Sequence, residues 1–144
     1  FLGNSLNVLI TIALFPGIVG YFMFSLFYGN WLNFPMFMLA ITALGGTLVF
    51  FVALTLMFGT FSKSAGAVAA IPMVVNFAQQ FLINIPYAGF IIPQSIYFRS
   101  DATSIMTSIA LGLPMFSVIP IISLIGLIAI CLLYALFKFE KAEF

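Results

Sequence analysis

The chain has 144 residues, 65% of them hydrophobic and 5% charged, with 19 Phe and a net charge of +1 at pH 7. So apolar a surface excludes a water-soluble domain of this size, and so small a charge excludes a nucleic-acid footprint and a polybasic lipid-binding patch. The lack of His, the three carboxylates and the single Cys131 exclude an intrachain disulfide and most metal or acid–base constellations.

A bilayer core of about 30 Å needs roughly 20 apolar residues in a helix. Four stretches qualify: 6–28, 35–60, 67–85 and 114–137. The expected fold class is therefore an all-α integral membrane protein, with residues 1–144 forming one transmembrane domain. The chain begins at Phe1 rather than Met and enters an apolar run almost at once, with no basic flank or small-residue cleavage site of a signal peptide. It reads as the later part of a longer protein.

Within the first crossing, Pro16-Gly17 predicts a bend, because proline removes one backbone hydrogen bond. The turn "GNWLNF" at 29–34 follows, with Gly29, Asn30 and Asn33 around Trp31. Tyr28 and Phe34 complete an aromatic cluster of the type found at headgroup depth. In the second crossing Thr42 and Gly46, and in the third Gly66 and Ala70, have the small-xxx-small spacing that lets helices approach closely.

The stretch "FGTFSKSAG" at 58–66 carries the first charged side chain, Lys63. A phosphate-cradling loop needs G-x-x-x-x-G-K-[ST], whereas Ser62 precedes this lysine and Met57 stands where the first glycine belongs, which excludes that motif. A lysine at mid-bilayer costs about 2.5–3.5 kcal/mol, so Lys63 marks a water-facing turn. Lys63 lies two crossings from Lys138 and Lys141 and so shares their side, while Arg99, near Asp101, lies opposite. The excess of lysines makes their side cytoplasmic and the 86–113 loop external.

The third crossing, "AVAAIPMVVNFAQQFLINIP", holds Pro72 and four amides. Asn76, Gln80 and Asn84 recur at every fourth residue, and with Gln79 they occupy an arc of about 140° at about 100° per residue. Such groups cannot face hydrocarbon without leaving donors and acceptors unpaired, so this face meets protein or water. They either bond neighbouring helices or line a translocation path or protomer interface. Four amides exceed what helix adhesion needs, which favours the second reading. No crossing carries an ionisable residue near its middle, which argues against self-powered ion coupling.

The 86–113 segment, opening at Pro86, is too short to cross twice and too apolar for a solvated linker, and predicts a re-entrant helical hairpin covered by protein. After the last crossing Glu140 and Glu143 can pair with Lys138 or Lys141, as a solvated helix end does. No nucleophile–base set or carboxylate pair can be assembled, so the chain is expected to be non-catalytic and to hold no metal.

The order of these parts resembles the permease subunit of type-2 ATP-binding-cassette (ABC) exporters: a hairpin, then "LTLMFGTFSKSAGAVAAIPMVVNFAQQFLINIP", an external apolar loop and a last helix with a charged tail. "FGTFSKSAGAVAA" is similar to the turn between that family's fourth and fifth crossings, "NIPYAGFIIP" to the opening of its re-entrant pair, and "LFKFEKAEF" to its charged ending. Where many members carry Asn-Pro before the last crossing, this chain has Leu113-Pro114.

That resemblance makes these four helices the third to sixth of a six-helix permease in the plasma membrane, multi-pass and bacterial. It implies a second permease protomer, as a homodimer or heterodimer, surrounding lipid, and a separate cytoplasmic ATPase subunit that holds ATP and Mg; no cofactor is expected in this chain and no nucleic acid among its partners. It also assigns Asn76, Gln79, Gln80 and Asn84 to the path or interface, Tyr87, Phe90 and Tyr97 to external closure, and Ser62, Lys63 and Ser64 to an ATPase-facing turn. The implied cargo is an amphipathic peptide or lipophilic compound. A fragment of an ion-coupled secondary transporter, or a non-transporting scaffold or immunity protein, are the alternatives.

Overall fold

The structure, a computed structural model, describes residues 1–29, 31–85, 87–99 and 103–142. Asn30, Pro86, Asp101 and Glu143, each given a place above, lie outside the described residues. The described chain is all-helical, and four helices are long and apolar enough to cross a membrane.

The first of these combines α1 (Leu2–Val8), a π-helical stretch (Leu9–Leu14) and α2 (Phe15–Tyr28). The π-helical stretch lies directly before Pro16, whose ring nitrogen has no hydrogen to donate back to Ile12. The ladder slips by one residue, and the Phe15 N–H bonds to the Ile10 carbonyl. The bend expected at Pro16-Gly17 is thus met by a widened turn just upstream. At the far end Tyr21 is the hub of the turn: its hydroxyl donates to Leu32 O at 2.8 Å, and its ring lies 5.1 Å from Phe34, 5.3 Å from Phe37 and 6.1 Å from Trp31.

Helix α3 (Phe34–Gly59) starts where the Asn33 side chain accepts from Met36 N–H, with Pro35 in its first turn. It is the centre of the bundle, touching α1, α2, α4, α5 and α6 as well as the π-helical stretch. Gly45 makes one of these contacts possible: a side chain there would run into the Leu9 side chain. Gly46 faces α6, where an added Cβ would lie 3.2 Å from Leu124. Of the two small-residue pairs, only that of α3 sits at a tight contact, since Gly66 meets nothing closer than Ser64 Oγ at 3.9 Å.

Helix α4 (Ala65–Leu82) begins with Ser64 accepting from Ala67 N–H at 3.4 Å and continues through Pro72. It ends earlier than the apolar run, so Asn84 lies past the helix, in turns closed by Asn84 N–H to Phe81 O and Ile85 N–H to Leu82 O. This corrects the expected extent of 67–85. The charged tail, in turn, does not end the last helix: α6 covers Ile119–Ala142, starting five residues later than Pro114 and passing Phe137. Apolar composition marks what a bilayer accepts, while backbone hydrogen bonds set where a helix starts and stops.

Between α4 and α6 the chain forms two 3-10 turns, Ala88–Phe90 and Pro93–Ile96, and one short helix, α5 (Ile105–Leu111). The pair of helices expected for a re-entrant hairpin is therefore one helix preceded by tight turns. Ser104 caps α5 by accepting from Thr107 N–H at 3.2 Å. Gly112, at φ +67°, then reverses the chain, with Leu113 N–H reaching Ser108 O at 2.8 Å and Gly112 N–H reaching Ile109 O at 3.2 Å. Ile96 and Ile105 are fully buried in one core with Phe50, Ala53 and Leu54 of α3 and Leu124 and Cys131 of α6. The segment is thus folded back among the long helices.

Helices α3 and α6 run in the same direction, as Gly46, midway along α3, pairs with Leu124 near the start of α6, and Phe61, just past α3, stacks on Tyr134 further along α6 at 5.0 Å. Lys138 Nζ lies 5.5 Å from the Phe61 ring, which brings it to the end of the bundle that carries the Lys63 turn. Arg99 lies 4.0 Å from the Phe116 ring just before α6, about 28 Å away along that helix. Replacing Gly45 with Ile should cost about 1–3 kcal/mol by overpacking, and adding Leu9→Ala should recover a large part of it. Thermal unfolding in detergent measures both, and strictly additive losses would mean that the two residues do not share this contact.

Candidate functional site

Burying a turn inside apolar surroundings requires a partner for each backbone N–H. Residues Pro93, Gln94, Ser95 and Ile96 are all buried, and the bonds show how this is met. Pro93 has no N–H to satisfy. The Gln94 N–H donates to Gln79 Oε1 at 3.2 Å, the Ser95 N–H to Ile92 O at 3.1 Å, and the N–H groups of Tyr97 and Phe98 to Gln94 O at 3.1 and 2.9 Å. The Ser95 hydroxyl also donates to Ile92 O, at 2.8 Å.

Two of the four amides in the third crossing serve this turn. Besides Gln79, the sole buried residue of α4, Asn76 accepts from the Tyr97 hydroxyl at 2.7 Å. Burial pushes the Tyr97 hydroxyl above its ordinary value, which keeps it protonated and donating. The other two, Gln80 and Asn84, are exposed and form one wall of an open cleft of about 520 Å³, with Gln94, Tyr97 and Phe98 opposite. Asn84 donates from Nδ2 to Gln80 O at 3.2 Å, tying down the turn after α4. The arc read from spacing therefore has a bonded half and a cleft-facing half.

The three residues assigned to external closure separate in space. Tyr97 belongs to the amide cluster. Phe90 packs edge-on against Phe116, centroids 5.7 Å apart, and Arg99 lies 5.4 Å from the first ring and 4.0 Å from the second. A cation over such faces contributes about 0.5–2 kcal/mol and joins the turns to the lead into α6. Tyr87 is 82% exposed and takes φ +68°, a backbone conformation that costs a side-chain-bearing residue about 1–2 kcal/mol.

Ser62, Lys63 and Ser64 lie at the opposite end of the bundle. Ser62 Oγ accepts from Ser64 N–H at 3.2 Å, Ser64 caps α4, and Lys63 is exposed. A second, wholly different cavity of about 390 Å³ lies between α3 and α6, walled by Thr42, Gly46, Ile96, Ile109 and Leu124 among others. No group of three or more His, Cys, Asp or Glu comes together among the described residues.

Sequence reasoning missed Gln94, Phe98 and Phe116. A lone amide in "FIIPQSIYF" was the available signal for Gln94, since an isolated polar side chain in an apolar run needs a partner; nothing local distinguishes Phe98 or Phe116 from the other phenylalanines.

Four helices of this length and apolar character define the class as an all-helical, multi-pass membrane protein. No family model matches the chain, and no curated protein or solved structure does.

Tyr97→Phe should cost about 1 kcal/mol of stability by removing the donor to Asn76. A tyrosine whose folded value is raised contributes fully below its ordinary value of about 10 and loses that contribution as pH rises through the raised one. The gap between wild type and variant should therefore stay constant from about pH 6 to 9 and narrow only above about 10. Denaturation midpoints across that range measure it, and a gap that narrows near neutrality would contradict the assignment.

Proposed function

We propose that this chain is the non-catalytic permease subunit of an ATP-driven ABC exporter, carrying amphipathic peptides or lipophilic compounds across the plasma membrane of a bacterium. The observation that carries this reading is the cleft between α4 and the 93–98 turn, where exposed Gln80 and Asn84 stand opposite Tyr97 and Phe98 and no charged side chain lines it among the described residues. Neutral amides beside an aromatic wall suit a cargo with both polar and apolar parts.

The distribution of charge supports a borrowed source of energy. Arg99, Lys63 and the charged residues from Lys138 onward sit at or beyond the ends of the helices, so the middle of these four crossings carries no ionisable side chain of the kind that proton relays and cation carriers use. ATP and Mg belong to a partner ATPase that meets the end bearing Lys63 and Lys138, on the cytoplasmic side. Helix α4, with only Gln79 buried, leaves most of its surface for lipid and a second permease protomer. Rocking of the two protomers then opens the cleft outward beneath the 87–113 turns.

Purification of the tagged chain from its native membrane should bring down a soluble ATPase, with no hydrolysis by the chain alone. In inside-out vesicles, uptake of a fluorescent amphipathic peptide should require ATP and fall about tenfold in the Gln80→Leu, Asn84→Leu double variant, a loss of about 1.4 kcal/mol. Uptake indifferent to ATP but abolished by a protonophore would replace this reading with an ion-coupled carrier. Altered assembly with no flux in any variant would indicate a scaffold.

A further inference from the structure

The cavity of about 390 Å³ between α3 and α6 joins buried and exposed walls. Ile96 and Leu124 within it are buried, whereas Leu39, Met115 and Ile125 at its rim are exposed, so it opens to the surroundings of the bundle. No charged side chain lines it among the described residues. Thr42 donates its only hydroxyl hydrogen to Met38 O at 2.9 Å, which leaves that wall with no side-chain donor to offer. The hollow exists because α3 presents small residues to it, Ala43 and Gly46, where larger ones would fill the space.

Shape and depth narrow the choice of occupant. Leu39, Thr42, Ala43 and Gly46 share one face of α3 and extend about 10 Å along its axis. They lie about 8–18 Å from the start of that helix, which is the depth of the acyl chains of one leaflet in a hydrocarbon core about 30 Å thick. The slot runs between two crossings that point the same way, and so does an extended chain of the surrounding lipid.

Water is a poor filling, because apolar cavities stay dry. A helix from a second copy, about 10 Å across, would take about 800 Å³ over the same length, roughly twice the space present. A cavity of about 150 Å³ already admits benzene, so a hydrocarbon chain fits here. Left empty, the walls would lose dispersion contacts on one side, and the bilayer presents chains to the rim continually. We propose that one acyl chain of a membrane phospholipid occupies this slot as a standing part of the bundle, lying along Ala43 and Gly46 and against Ile96 and Ile109. The site is separate from the amide cleft and does not rest on the transport reading.

The test uses the full chain in phosphatidylcholine nanodiscs that contain a small fraction of phosphatidylcholine with a diazirine midway along one acyl chain. After illumination, fragment mass mapping compares the lining residues of 39–46 and 121–125 with Phe22 and Ile122, which are exposed outside the cavity. The lining residues should be labelled about tenfold more, the ratio that about ten extra atom contacts supply. Ala43→Phe, which fills the slot, should lower that labelling about tenfold and leave Phe22 and Ile122 unchanged. Thr42→Phe, entering from the exposed rim, should do the same and covers the case in which the first variant does not fold; if neither folds, the wild-type ratio decides alone. A lipid that merely surrounds the bundle labels both sets equally, and that result would overturn the proposal. So would labelling that survives the substitutions, or lining residues labelled less than the controls, which would give the slot to a second copy or a lipophilic cargo. No flux is read, so the outcome is independent of ATP-driven transport.

Discussion

A backbone N–H inside an apolar bundle has no water to bond, and the one on Gln94 is met by the Gln79 side chain at 3.2 Å. That bond lets the 93–98 turn sit among the long helices instead of on the surface. Proline at 93 removes one donor, the Ile92 and Gln94 carbonyls take those of Ser95, Tyr97 and Phe98, and Gln79 takes that of Gln94. Without it the turn would have to retreat toward water, and Ile96 would leave the core that it shares with α3 and α6.

The same bond explains the uneven covering of α4. Gln79 is the only fully buried residue of that helix, whose apolar contact with the core runs through partly buried side chains such as Ile71 and Val75. The helix is also held at the Lys63 end by its short turn to α3, and near the other end by Asn76 and Gln79 reaching the 93–97 turn. Measured hydrogen bonds between membrane helices average about 0.6 kcal/mol, so such a helix is lightly fixed relative to the α3–α6 pair. A light attachment beside a cleft suits an element that moves with respect to a rigid core.

Electrostatics reinforce the division between middle and ends. The core between α3 and α6 is aliphatic and aromatic, and threonines of α3 are satisfied within their own helix, buried Thr47 by Leu44 O at 2.6 Å and half-buried Thr55 by Phe51 O at 2.7 Å. Cations are held by rings instead of by counter-ions alone: Arg99 over Phe116 at one end, Lys138 near Phe61 at the other. Phenylalanine therefore has two uses here, filling apolar space and supplying faces for charge where the helices emerge.

Hydropathy and length made the four crossings legible, because any helix long and apolar enough must find a non-aqueous setting. Asn33 and Ser64 stood in segments read as turns, but that they cap the helices that follow, and that Gly112 ends α5, came only from the structure. The helical arc of Asn76, Gln79 and Gln80 was legible too, as periodicity depends only on local geometry. What spacing could not convey was that Asn84 falls beyond the end of α4, that residues 114–118 precede a helix instead of starting it, and that Gln94 lies opposite the amides. Those facts depend on contacts between segments far apart in the chain, such as Gln79 with Gln94 and Phe90 with Phe116. A periodic pattern states which side chains share a face; only the packed bundle supplies the group that the face meets, because a hydrogen bond needs its partner within about 3 Å and local sequence carries no such distance.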